Sequence, residues 1–133
     1  MGRYLLGVAP LMATVSLSLC IACSGEPVCE CATPGLTIAI PANLAPTVTS
    51  VTLSDRACVG LTPQCTARDG GGNCTSYRVT PSTYGNCHVE VVLQNRSYTS
   101  DVRIVQRTGC CTGYFADPLA AGTIEVSRFG GGP

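Results

Sequence analysis

An all-β fold, a small disulfide-stapled antiparallel β-sandwich, is what this sequence predicts, on three observations. Apolar and polar residues alternate in short runs such as Leu36-Thr37-Ile38-Ala39-Ile40 and Cys87-His88-Val89-Glu90-Val91, and a period of two puts the apolar set on one face of a strand. Beyond residue 22 no segment sustains a 3.6-residue apolar period. Ten Cys, 15 Gly and 9 Pro among 133 residues punctuate the runs with turns and supply cross-links. Short strands with this punctuation suit a sandwich; a small open β-barrel is the alternative.

The first element, residues 1–22, reads as a helical signal peptide ahead of the β domain. Arg3 is the only charge before Glu26, and Leu5-Leu6-Gly7-Val8 and Leu17-Ser18-Leu19 are the apolar heart of the run between them. A positive start, an apolar run and the small Ala22 before a cleavable position are the marks of export. An uncleaved anchor of that length would just span a bilayer, but Pro10, the Ser and Thr residues and the missing basic stop-transfer cluster weigh against it. The stretch Leu19-Cys20-Ile21-Ala22-Cys23-Ser24-Gly25 resembles a bacterial lipoprotein signal, which is cleaved before a Cys whose thiol carries a diacylglyceryl group. Ala22 matches the small residue wanted before Cys23, whereas Cys20 stands where that family usually has Leu. The resemblance implies a lipid anchor on Cys23. Parity agrees: lipid on Cys23 leaves eight Cys, which can pair completely.

Residues 23–35, bearing Cys, Pro and Gly without apolar period, read as a tether from the anchor. The β domain is expected over residues 36–129. Leu36, Ile38 and Ile40 form a first strand stopped by Pro41; Thr49, Val51 and Leu53 form a second. Ala57 to Ser76 has no period and reads as a long loop that Cys58, Cys65 and Cys74 pin down. A short strand at Tyr77-Arg78-Val79-Thr80 precedes a turn from Pro81 to Gly85. The clearest strand runs from Cys87 to Leu93, with Cys87, Val89, Val91 and Leu93 on one face. Gln94-Asn95-Arg96-Ser97 connects it as a hairpin to Thr99–Gln106, where Val102 and Ile104 face inward. A turn-rich stretch through Asp117-Pro118 leads to a last strand with Ile124 and Val126 inward. Residues 130–133 read as a flexible tail.

Cys29, Cys31, Cys58, Cys65, Cys74, Cys87, Cys110 and Cys111 are the expected disulfide-forming residues. Such density in an exported chain reads as a disulfide framework. Structural zinc favours paired C-x2-C clusters, and the single such spacing, Cys20 to Cys23, straddles the expected cleavage site. Eight Cys allow 105 pairings, among which sequence does not choose. Cys110 and Cys111 are expected to bond to separate partners, a strained vicinal bridge between them being the alternative.

Composition excludes several chemistries. The chain has eight Arg and no Lys, hence no Schiff base and no P-loop lysine. Zero formal net charge gives no electrostatic ground for nucleic acid. The single His88 sits on the outer face of a strand and reads as a solvent-facing residue. No G-x-S-x-G elbow supports a hydrolase triad. Asp69-Gly70-Gly71-Gly72-Asn73 departs from a calcium loop and reads as a turn. Asn73-Cys74-Thr75 and Asn95-Arg96-Ser97 are glycosylation sequons that matter only in a eukaryotic source.

Three segments of the second half, Gly85-Asn86-Cys87-His88-Val89-Glu90-Val91, Asp101-Val102-Arg103-Ile104-Val105 and Gly109-Cys110-Cys111-Thr112-Gly113-Tyr114-Phe115-Ala116-Asp117-Pro118, resemble small Cys-rich lipoproteins of myxobacterial type. The resemblance spans residues 36–129 and implies no catalytic residues, because that family has no assigned activity. The expected function is a non-enzymatic exported lipoprotein of the bacterial cell envelope. It would bind an envelope protein or glycan and touch the membrane through Cys23, with no cofactor and no metal. The alternatives are a thiol-redox protein using Cys110-Cys111 and a secreted disulfide-rich inhibitor; the alternative to a lipid-anchored location is a secreted or periplasmic one.

Overall fold

Two β-sheets face each other across an apolar interior in the computed structural model, which describes residues 29–117, 122–126 and 130–131. The expected signal peptide and Cys23 lie outside the described residues. One sheet has the order β3 (Gln64–Arg68), β4 (Cys74–Val79), β1 (Leu36–Ala39), β8 (Thr123–Glu125); the other has the order β2 (Val48–Ser54), β5 (Gly85–Leu93), β6 (Ser97–Arg107), β7 (Gly113–Asp117). β9 (Gly130–Gly131) pairs with β6 at Tyr98 and Thr99. All strand pairs are antiparallel except β1 with β8. This is the predicted β-sandwich, and the sheets do not close into the alternative barrel.

The period of two decides what lies inside. On β5, Cys87, Val89, Val91 and Leu93 are buried, and across the strand pair so are Val102 and Ile104 of β6. The opposite sheet contributes Leu36 and Ile38 of β1, Val79 of β4 and Ile124 of β8, with Ile40 and Val126 just beyond their strands. No polar or charged side chain among the described residues is buried, so the interior carries no desolvated charge to compensate. A short 3-10 turn, Ala45–Thr47, starts with Pro46 inside it and delivers the chain into β2.

Three stretches differ from the sequence reading, the shortest being Gly130–Gly131 of the expected tail, which pair with β6 as β9. The expected loop from Ala57 to Ser76 contains β3 and the start of β4, joined as a hairpin. β3 lies at a sheet edge with Gln64, Thr66, Ala67 and Arg68 exposed, so it has no apolar face to leave a periodic trace. The expected turn-rich stretch after Cys111 contains β7, in which neighbours Phe115 and Ala116 are both buried. Ala116 belongs to the interior, while Phe115 is covered from the other face: a Cβ on Gly113 would touch both Pro34 and Phe115, and the Arg107 guanidinium lies 5.2 Å from the Phe115 ring centroid. A strand buried on both faces loses the alternation.

The cysteines pair as Cys29–Cys110, Cys31–Cys111, Cys58–Cys87 and Cys65–Cys74, with Cα–Cα separations of 5.8, 5.4, 5.2 and 5.8 Å. Cys110 and Cys111 thus bond to separate partners, and the alternative vicinal bridge does not form. The first two bridges lay the segment before β1 beside β7, where the Gly35 amide donates to the Tyr114 carbonyl at 2.8 Å. Gly35 has φ of 107°, and a Cβ there would stand 2.7 Å from the Val79 carbonyl oxygen, so only glycine lets the chain cross from one sheet to the other at this point.

Candidate functional site

An open groove of about 830 Å3 lies where the turn after β2 meets the start of β5 and the far end of β6. Its walls are Asp55, Arg56, Tyr84, Gly85, Asn86 and residues 103–106. The volume falls in the range of small-molecule sites, roughly 300–1,000 Å3. Four constraints fix the turn that carries Arg56. Asp55 adopts φ of 68°, a left-handed conformation that Asp tolerates better than most residues. Its carbonyl accepts from the Cys58 and Val59 amides at 3.0 and 2.8 Å, and the Ala57 amide donates to the Asn86 carbonyl at 2.9 Å. Cys58 is then bonded to Cys87 on β5, both fully buried.

So held, the Arg56 side chain crosses Gly85 and places its guanidinium 5.3 Å from the Tyr84 ring centroid. Gly85 has φ of 136°, and a Cβ there would meet Arg56 Cδ at 3.4 Å. Tyr84 remains 52% exposed. On β6, Arg103 is the register partner of Asn86 on β5 and of Asp117 on β7. No arginine among the described residues has a carboxylate within 4.0 Å. Arg68 and Arg78 donate to the carbonyls of Gly72 and Pro34, and Arg96 and Arg107 cover aromatic rings. Arg103 makes no such contact. The walls thus include Arg56, Tyr84, Asp55, Arg103, Asn86 and Gln106, with Arg103 and Asn86 on the outer face of the sheet, Gln106 on the face of Ile104, and Arg56 over the Cβ position of Gly85.

His88 stands two residues along β5, on the same outer face. Its Nδ1 lies 2.5 Å from Asp101 Oδ1 on β6. That hydrogen bond raises the imidazole pKa above its ordinary 6.5, against a smaller opposing effect of desolvation. Ser54 is the register partner of His88 on β2, so Ser, His and Asp stand in one row across three strands. The Ser54 hydroxyl makes no hydrogen bond to the ring. An activated nucleophile needs its base within hydrogen-bond reach, and this row lacks that contact.

The Asp69–Asn73 loop is a hairpin turn closed on itself. Asp69 Oδ1 accepts from the Gly71 and Asn73 amides, both at 2.9 Å, and Asn73 Nδ2 donates to the same carboxylate. These bonds lower the Asp69 pKa, the side-chain bond from Asn73 most. Among the described residues no three His, Cys, Asp or Glu side chains gather as a metal site, and no helix is long and apolar enough to cross a membrane.

The sequence reading missed the groove, because its walls come from three separated segments, none carrying a motif. The one local trace was Tyr84, an aromatic residue in a turn between strands. Comparison with protein-family models, curated proteins and solved structures finds no match for this chain.

Proposed function

We propose that this chain is a non-enzymatic, exported module of a bacterial cell envelope, anchored by lipid on Cys23, that binds another envelope component through the groove lined by Arg56, Tyr84 and Gly85. The observation that carries the binding role is the rigidity of that groove. A turn tied by three backbone hydrogen bonds and a buried disulfide loses little conformational entropy when a ligand arrives, so more of the contact energy appears as affinity. Four disulfides suit an oxidising compartment outside the cytosol, as export requires. Residues 29–35, fastened by two bridges to the segment just before β7, would join the anchor directly to the domain.

Two experiments test the two halves. Wild type should fractionate with membranes and Cys23→Ser should become soluble; a wild type already soluble sinks the anchor. Envelope fragments from the native host should retain the purified domain, and Tyr84→Ala should abolish retention. Retention equal in wild type and variant sinks the groove as the binding surface.

A further inference from the structure

We infer that two copies of this chain pair through the free edge of β2, antiparallel about Thr52, so that their sheets join into one. A strand at the edge of a sheet shows a row of unpaired amides and carbonyls, and folded proteins ordinarily blunt it by shortness, charge, Pro, a bulge or a cover. Among the described residues the other edges each carry such a device. β3 loses register against β4 twice, between Cys65 and Ala67 and between Ala67 and Arg68, and ends on a charge. β8 has three residues and β9 two. β7 is covered by the segment before β1, through the bridge from Gly35 to Phe115 and the Gly35 amide on the Tyr114 carbonyl. β2 ends its sheet and has none of these over residues 50–54, where there is no charge, no Pro, no Gly and no break in register against β5.

The hydrogen bonds around β5 decide which groups of β2 are free. The Leu93 amide donates to the Arg96 carbonyl, across the hairpin to β6, and the Gln94 amide donates to the Thr47 carbonyl, toward β2. Bonding alternates along an antiparallel strand, so Val92, Glu90 and His88 bond toward β2, to their register partners Ser50, Thr52 and Ser54. The Asn86 carbonyl, which accepts from the Ala57 amide at 2.9 Å, keeps the same alternation. The amides and carbonyls of Val51 and Leu53 therefore point away from the sheet. A second copy turned about an axis at Thr52 sets its Leu53 opposite Val51 and its Val51 opposite Leu53, and every one of these free groups finds a partner.

The side chains suit that register. Val51 and Leu53 are half-buried at the rim of the core, and in the pair each covers what the other leaves exposed. On the outer face Thr52 meets Thr52 and Ser50 meets Ser54, all exposed and uncharged, and hydroxyls of this kind pair favourably across strands. Zero formal net charge sets no long-range repulsion between copies. A two-fold contact also closes on itself and adds no third copy. An extended peptide would find the same backbone groups, but it would need this pattern of hydroxyls outside and aliphatic chains inside, which the second copy carries.

The test uses the Cys23→Ser protein, in which neither a lipid nor a thiol at that position can hold copies together. Sedimentation equilibrium over a concentration series should show monomer and dimer in exchange, weakly associated because the contact is small. Thr52→Lys and Thr52→Glu each set like charges against each other on the axis. Each should weaken the dimer at least about threefold with circular dichroism unchanged, and an equimolar mixture of the two should associate more tightly than either alone. Hydrogen exchange at the Val51 and Leu53 amides should slow as concentration rises, while that at Thr52, already bonded to β5, should change little. A chain still monomeric at about 1 mM overturns the inference, as does a dimer that neither substitution weakens or a mixture that behaves as its parts. Protection of Val51 and Leu53 at every dilution would mean that another part of the same chain covers the edge, and protection only on adding envelope fragments would give the edge to a different protein. Either outcome also overturns it.

Discussion

Cys58 and Cys87, 29 positions apart, are bonded to each other with neither residue exposed to solvent. The bridge does two things at once, since Cys87 is a core residue of β5 and Cys58 ends the turn that carries Arg56.

Replacing both with Ala should therefore reduce stability and affinity together. Opening a loop of that length removes about 3.5 kcal/mol of constraint on the unfolded chain, and the vacated core volume adds a cavity cost. Set against a typical net stability of about 5–15 kcal/mol, the loss should appear as a large drop in Tm by circular dichroism. A Tm within a degree or two of wild type would show that the apolar interior alone holds the turn.

Cys29–Cys110 and Cys31–Cys111 close nearly the same loop, with separations of 81 and 80. While either stands, losing the other frees only the residues between Cys29 and Cys31. Each single removal should thus cost far less than the roughly 4.5 kcal/mol expected for opening a loop of that size, and removing both should restore that cost. Urea unfolding of the two single-bridge variants and the double variant measures the coupling; additive losses would refute the redundancy.

The His88–Asp101 contact gives a pH dependence of definite sign. The native imidazole pKa is raised by the hydrogen bond to Asp101, so its contribution is fully present below the unfolded value near 6.5. It is lost as pH rises through the raised native value. Because His88 is the only histidine, an NMR titration reads it directly: wild type should titrate above 6.5, and Asp101→Asn should shift the midpoint down. A midpoint unchanged by the substitution would dissociate the pair.

The sandwich was legible because β1, β5 and β6 each bury one face, leaving alternation in Leu36-Thr37-Ile38 and Cys87-His88-Val89. β3 escaped notice for want of an apolar face, and β7 because Phe115 and Ala116 are buried on opposite faces. The pairing of the cysteines was beyond the sequence, since it depends on which strands lie side by side. So was the groove: Arg56 and Arg103 are 47 positions apart in sequence and meet the same cavity only through the pairing of β2, β5 and β6. Charged residues on strand ends carry no periodic signal.

The four bridges should also differ in how readily they are reduced. Thiol–disulfide exchange needs a thiolate to reach a sulfur, so accessibility sets the order. Cys29, Cys31 and Cys110 are exposed and Cys111 is half-buried, which opens the two bridges on the segment before β1 to a mild reductant. Cys65–Cys74 is intermediate, with Cys74 largely covered. Cys58–Cys87 is sealed within the core and should react only when the domain opens. Alkylation after brief treatment of the native protein, followed by peptide mass spectrometry, should find label at Cys29, Cys31, Cys110 and Cys111 first, and at Cys58 and Cys87 only with denaturant or prolonged reduction. At that last stage the β-sheet circular dichroism should collapse, and groove binding with it, because the turn carrying Arg56 is then untied. Early label at Cys58 or Cys87 in a domain that keeps its cooperative transition would mean that the turn is not sealed, and the rigidity argued for the groove would go with it.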